Sequence, residues 1–153
     1  MRHVPPTPKL AHSTCSPFVE PTVDPRRAVG RVGEEFACKH FERLGFAILA
    51  RNHRTRYGEI DAIAFDGHTL VFVEVKSTRV RTRGHTTSAP APPEPLESLR
   101  GAQQARLKRL AAAWLGDPQQ IRPRAEEIRF DAVGVVLDAR DRLVRLEHLE
   151  AAW

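Results

Sequence analysis

The sequence predicts an α/β fold, a mixed central β-sheet flanked by helices, and three observations carry that expectation. Apolar residues recur at helical spacing in two stretches, 24–45 and 96–116. Short apolar runs of strand length occupy 46–50, 59–65, 69–76, 128–137 and 143–149. The resulting order of helix, three strands, helix and two strands belongs to a sheet with helices laid against it.

Met1 to Val23 holds Pro5, Pro6, Pro8, Pro17 and Pro21 among scattered Ser and Thr, with no hydrophobic period. It reads as a disordered tail before a single domain over 24–153. Asp24-Pro25 then supplies an N-cap and a first-turn proline, and Gly45 supplies the stop. Within this first helix Val29, Val32, Phe36, His40 and Leu44 form a stripe that Gly33, Ala37 and Phe41 broaden. Glu34 sits at the edge of the stripe, better placed than Glu35 to reach a sheet beneath. An ordinary solvated helix glutamate explains Glu34 equally well, and His40 reads as a satisfied core histidine.

Phe46 to Ala50 is expected to be a short strand, and Arg51 to Tyr57 a basic loop after it. Arg51, Arg54 and Arg56 there are candidates for phosphate contacts. The next two runs, Glu59 to Phe65 and Thr69 to Lys76, flank Asp66-Gly67, a strong hairpin signal because both turn positions tolerate positive φ. Alternation along the second run places Leu70, Phe72, Glu74 and Lys76 on one face, and Val71, Val73 and Val75 on the other.

A two-residue loop would set Asp61 opposite Phe72, diagonal to Glu74; a four-residue loop would set it directly opposite Glu74. Either register leaves the carboxylates about 5 to 8 Å apart at Cβ, whereas a three-residue loop would turn the partner strand over. Two carboxylates that close repel unless a proton or a cation intervenes. Their hard oxygens suit Mg²⁺ or Mn²⁺, which keep several waters and also accept phosphate oxygens. Lys76, one strand repeat beyond Glu74, can orient or deprotonate a water, or offset charge on a phosphate. The plain structural reading is a same-face Glu74 and Lys76 ion pair with Asp61 closing a strand. The apolar surroundings favour chemistry, because a buried charge is expensive unless paired or metal-bound.

After Lys76 a basic, Pro-rich loop is expected over 77–95, carrying Arg79, Arg81 and Arg83. It could close over a phosphate backbone or serve as a charged linker. The second helix stripe is Leu96, Leu99, Gln103, Leu107, Leu110 and Trp114, ended by Gly116 and Pro118. Asp138 to Asp141 forms the turn between the last two strands, and Asp131 reads as a structural carboxylate.

Composition narrows the function classes. At 153 residues the chain has room for one core. A formal charge of +5 and a pI near 9.9 fit a polyanionic partner without singling one out. Cys15 and Cys38 match no metal spacing and make no disulfide framework. No apolar run approaches a membrane span and no signal peptide is visible, so the expected location is the cytoplasm. There is no internal repeat, phosphate-cradling glycine loop or Ser-His-Asp arrangement.

The Asp61, Glu74, Lys76 constellation resembles the Asp…Glu-x-Lys core of the PD-(D/E)XK, or restriction-endonuclease-like, nuclease superfamily. More narrowly, GRVGEEFACKHFERLGFAILARNHR, then GEIDAIA, then LVFVEVKSTR is similar to the YraN-like family, related in fold to archaeal Holliday junction resolvases. The resemblance covers about Ala28 to Val136. It implies a restriction-endonuclease-like fold and a Mg²⁺- or Mn²⁺-dependent endonuclease acting on DNA, branched DNA included. Asp61, Glu74 and the carbonyl of Val75 would hold the metal, Lys76 would manage the water, and Glu34 would assist. Junction resolution would further require a homodimer with two-fold symmetry. Gln103 departs from the family's usual lysine, which removes one expected cationic contact. A non-catalytic nucleic-acid-binding module and a protein-interaction scaffold are the alternatives.

Overall fold

The structure, a computed structural model, describes residues 24–80, 94–99 and 101–153. The expected tail 1–23 and the part of the basic loop that carries Arg81 and Arg83 lie outside the described residues.

Helix α1 (Pro25–Arg43) begins as the sequence predicts, with the Asp24 carboxylate accepting a hydrogen bond from Arg26 N–H at 3.0 Å. Its buried centre runs through Gly33, Ala37, Cys38 and Phe41, while Leu44 at the end of the expected stripe is exposed. The broadening residues therefore form the centre of the buried face, with Val29, Val32 and Phe36 of the first-chosen row packed partly buried beside them. A Cβ on Gly33 would stand 1.7 Å from Ser77 Oγ. At that point α1 lies so close to the sheet that any larger residue would have to lift the helix.

Strand β1 (Ala47–Thr55) pairs antiparallel with β2 (Gly58–Phe65), and β2 pairs antiparallel with β3 (Thr69–Arg79). Strand β4 (Glu127–Leu137) lies parallel to β3, and β5 (Leu143–Leu149) closes the sheet antiparallel to β4, in the order β1-β2-β3-β4-β5. The sheet is thus mixed, as expected. Two boundaries differ from the sequence reading. Arg51 to Thr55 is not loop but the second half of β1, which stays in register to Thr55↔Gly58 and leaves only Arg56-Tyr57 as the turn. An edge strand tolerates such charges because one of its sides faces water. Likewise Ser77, Thr78 and Arg79 continue β3 alongside Val135, Val136 and Leu137 of β4.

The second helical stretch is split in two. A 3-10 turn at Pro95–Ser98 precedes helix α2 (Gly101–Gly116), with Leu99 extended between them. Leu96 is buried against Gly134 of β4, where a Cβ would come within 2.9 Å of Leu96 Cγ, and this contact holds the turn apart from the helix axis.

The helices cover opposite faces. Ala37 and Phe41 of α1 pack on Ala62, Ala64, Val71, Val73, Val133 and Val135. Leu107, Leu110 and Trp114 of α2 pack on Ile60, Ile63, Leu70 and Phe72. Alternation in β3 therefore sorts its side chains as the sequence predicts, and Glu74 and Lys76 belong to the α2 face. Among the described residues no helix is long and apolar enough to cross a membrane.

Candidate active site

The geometry of the site starts from the hairpin register. The pairs Phe65↔Leu70, Ala64↔Val71, Ile63↔Phe72 and Ala62↔Val73 leave four residues, 66–69, in the loop. Asp66 fixes that length, because its Oδ1 accepts from His68 N–H at 2.9 Å and from Thr69 N–H at 2.7 Å. One step further in this register places Asp61 across from Glu74, the second of the two arrangements that keep the carboxylates close.

The recorded β2 and β3 pairing ends at Ala62↔Val73. Beyond it, Val75 N–H donates to Asp61 Oδ2 at 2.7 Å. The carboxylate thus takes the place of a backbone acceptor and sits in the fork where the strands part. N–H and C=O of one strand residue lie on the same edge, so the Val75 carbonyl also lies on the Asp61 side of β3.

Asp61 is mostly buried, and burial is the main cause that pushes its carboxyl up to about 7. The Glu74 charge raises it further, the Val75 N–H bond opposes, Glu34 raises it slightly and Lys76 lowers it. At neutral pH this group is poised between its two protonation states. Glu74 is 4% exposed and carries two cations: Lys76 Nζ at 2.6 Å from Oε1, and Arg106 Nη1 at 3.8 Å from Oε2. Arg106 comes from α2, and its guanidinium also donates to Glu59 carbonyl oxygen at 3.4 Å. Gly58 is what admits it: φ is +133° there, and a Cβ would come within 3.1 Å of Arg106 Nη2.

Asp61, Glu74, Val75 and Lys76 are therefore brought together. Glu34, on α1, is close enough for its charge to act on Asp61, and its Oε2 is buried without a hydrogen-bond partner among the described residues. No three His, Cys, Asp or Glu side chains converge as a metal cage among the described residues. The donor set offered here is two carboxylates and a backbone carbonyl. That set fits Mg²⁺ or Mn²⁺ completing its shell with water and phosphate oxygens, which needs only one or two carboxylates.

The proposed phosphate contacts are more scattered. Arg51 pairs with Glu42 at 3.2 Å, and Arg79 pairs with Asp141. Arg54 reaches Glu59 only at 3.6 Å and its side chain is 87% exposed, and Arg56 lies over the Tyr57 ring at 4.6 Å. The last two are the more available cations.

Two features escaped the sequence reading. Arg106 is one; its position three residues after Gln103 on a site-facing helix was the available signal. The second is a chain of contacts on the α1 face. Asp131 is fully buried and accepts from Arg129 Nε and Nη2 at 2.9 and 2.8 Å, from Ala151 N–H at 3.1 Å, and bonds His148 Nε2 at 2.9 Å. His148 Nδ1 in turn meets His40 Nε2 at 3.1 Å. Burial alone would raise the Asp131 carboxyl, but the bonds to His148, Arg129 and Ala151 outweigh it and hold it below the usual carboxylate value. Asp131 is structural, as expected, and His40 is a satisfied histidine.

Comparison with known proteins adds a family. A model described as "Uncharacterised protein family UPF0102" matches residues 33–135. A UPF0102 protein of Acidothermus cellulolyticus is 43% identical over 122 residues, covering 75% of this chain and 86% of that protein. One of Pelotomaculum thermopropionicum is 39% identical over 130 residues, covering 85% and 98%. Another, of Dictyoglomus turgidum, is 33% identical over 127 residues, covering 83% and 98%.

Proposed function

The chain belongs to the UPF0102 (YraN-like) family, within the restriction-endonuclease-like superfamily, and we propose that it is a metal-dependent endonuclease acting on DNA phosphodiesters, branched DNA included. The observation that supports this most is the Asp61 carboxyl, held near neutrality in the strand fork beside Glu74 with one hydrogen bond recorded among the described residues. A group so placed destabilises the protein when ionised, unless a cation arrives.

Asp61, Glu74 and the Val75 carbonyl would hold Mg²⁺ or Mn²⁺. Such a cation supplies charge neutralisation at the phosphate and makes a water acidic enough to act as nucleophile. The chain's own residues do the rest. Asp61 releases its proton on cation binding, which makes affinity rise with pH across neutrality. Lys76 Nζ, anchored to Glu74 Oε1, orients the attacking water or meets the charge that builds on the phosphate. Arg106 fixes the other Glu74 oxygen from the α2 side. Arg54 and Arg56 hold the strand by its phosphates.

The test incubates pure protein with linear, flapped and four-way DNA, with Mn²⁺ or with EDTA, alongside Lys76→Ala. Mn²⁺-dependent products from wild type and none from the variant are expected. Identical products from both would remove the catalyst.

One observation favours a second reading. Lys76 and Arg106 already neutralise Glu74, so the cluster is electrostatically satisfied on that side without metal. A DNA-binding module that does not cut would keep this arrangement. Its mark is salt-sensitive DNA binding that survives Asp61→Ala with no cleavage under any divalent cation.

A further inference from the structure

A cavity of about 500 Å³ lies between the far end of β1 and the C-terminal half of α2. Its rim carries the cations Arg54 and Arg56 beside His53, and its floor is Ala112, Ala113 and Trp114. One acidic residue, Asp117, borders it, and that carboxylate is engaged by Gln119 N–H at 2.9 Å and the Gln120 amide at 3.3 Å. An apolar floor below a cationic rim matches a molecule that is flat and apolar on one side and anionic on the other. The volume falls within the range of small-ligand sites, roughly 300 to 1,000 Å³.

Two further observations narrow the ligand. The Arg54 side chain is 87% exposed, so it can turn towards a phosphate with little loss. Beside it, Tyr57 is half exposed under the Arg56 guanidinium, the pairing on which nucleobases stack.

The cavity is also placed to serve the acidic site. Residues 53–56 run into the turn before Gly58 and Glu59, which Arg106 touches. Along α2, Ala113 stands seven residues beyond Arg106, about 10 Å at 1.5 Å per residue.

We infer that the cavity between β1 and α2 takes an unpaired nucleotide, its base on the Ala112, Ala113 and Trp114 floor and its phosphate at Arg54 and Arg56. The inference rests on the nucleic-acid reading above and deepens it. A duplex buries its bases in the stack, so the site selects a strand with unpaired character near the acidic pair, as found at flaps and junctions.

The experiment measures binding of the full chain in EDTA, by fluorescence anisotropy, to a labelled twelve-nucleotide thymidine strand and to the same strand with its central bases removed. Wild type should hold the intact strand about 10-fold tighter, within the 1 to 3 kcal/mol a stacked base contributes. Ala112→Trp, at an exposed helix position, should fill the floor and bring that ratio close to one, with an unchanged melting curve. Arg54→Ala should weaken both strands alike. A wild-type ratio of one overturns the inference and leaves the nucleic-acid reading standing, as does a ratio that Ala112→Trp leaves intact. Displacement of the strand by micromolar thymidine monophosphate makes this a free-nucleotide site and also overturns it. Failure to bind either strand overturns the inference, and failure to bind four-way and linear duplex DNA in the same assay overturns the nucleic-acid reading with it.

Discussion

Asp61 and Asp131 occupy the two strands that flank β3, both are largely withdrawn from water, and their carboxyls are driven in opposite directions. Asp131 is bound by Arg129, His148 and a backbone N–H, which together overcome the cost of burial. Asp61 receives the Val75 N–H, feels a neighbouring carboxylate, and has only the distant help of Lys76. Burial of a carboxylate is thus not what marks a functional group; incomplete compensation is. The Asp131 network reads as a finished structural unit, whereas the Asp61 fork is short of one positive charge.

The contrast is broken most severely at Asp131. Asp131→Asn leaves the Arg129 guanidinium facing a neutral amide, and losing one partner of a buried pair costs about 3 to 5 kcal/mol. Thermal melting followed by circular dichroism at pH 7 should fall by roughly 10 °C. Because its folded-state value is depressed, the Asp131 contribution is fully present above the unfolded value of about 3.8 and is lost as pH falls through the folded one. The gap between wild type and variant should therefore close in acid. A constant gap from pH 7 to pH 2 would contradict the assignment.

Asp61→Asn should do the reverse. Here the folded value, about 7, lies above the unfolded 3.8. Between the two the folded protein holds a proton that the unfolded chain has released, so stability declines as pH rises from about 4 to 7. An asparagine escapes that cost while still accepting the Val75 N–H. In EDTA at pH 8 the variant should be more stable than wild type, by on the order of 2 kcal/mol, and at pH 4 the two should melt together. Destabilisation at pH 8 would show that Asp61 is as well compensated as Asp131.

Smaller effects sharpen the picture around Glu74. Lys76→Met removes the 2.6 Å partner of a buried carboxylate and should lower stability by about 1.5 to 3 kcal/mol. Arg106→Met, at 3.8 Å and with a side chain 42% exposed, should lower it by less than about 1 kcal/mol. Chemical denaturation of both variants checks the order, and the opposite order would make Arg106 the principal counter-charge.

Much of the fold was legible because its local signals agree. The Asp24-Pro25 cap, the Asp66-Gly67 turn and strict alternation in Leu70 to Lys76 each act within a few residues, and each reappears in the structure. The loop length of the hairpin was not legible, since the Asp66 side-chain bonds to His68 and Thr69 that fix four residues compete closely with a tighter turn. Arg51 to Thr55 read as loop because a charged edge strand carries no apolar period; its pairing with β2 decides the matter. The split before α2 depends on Leu96 meeting Gly134, a contact between residues far apart in sequence. For the same reason Asp61, Glu74 and Lys76 could be gathered from one hairpin, whereas Arg106 and the Asp131, His148, His40 chain could not. Those groups meet only once β4, β5 and both helices are in place.

The most direct measurement is calorimetric titration of Mn²⁺ into wild type, Asp61→Asn and Glu74→Gln at pH 6 and pH 8. One Mn²⁺ should bind wild type, more tightly at pH 8 as the Asp61 proton leaves, and both variants should lose that binding while remaining folded. Unchanged Mn²⁺ affinity in Asp61→Asn, or none in wild type at either pH, would mean that the strand fork is not reserved for a cation.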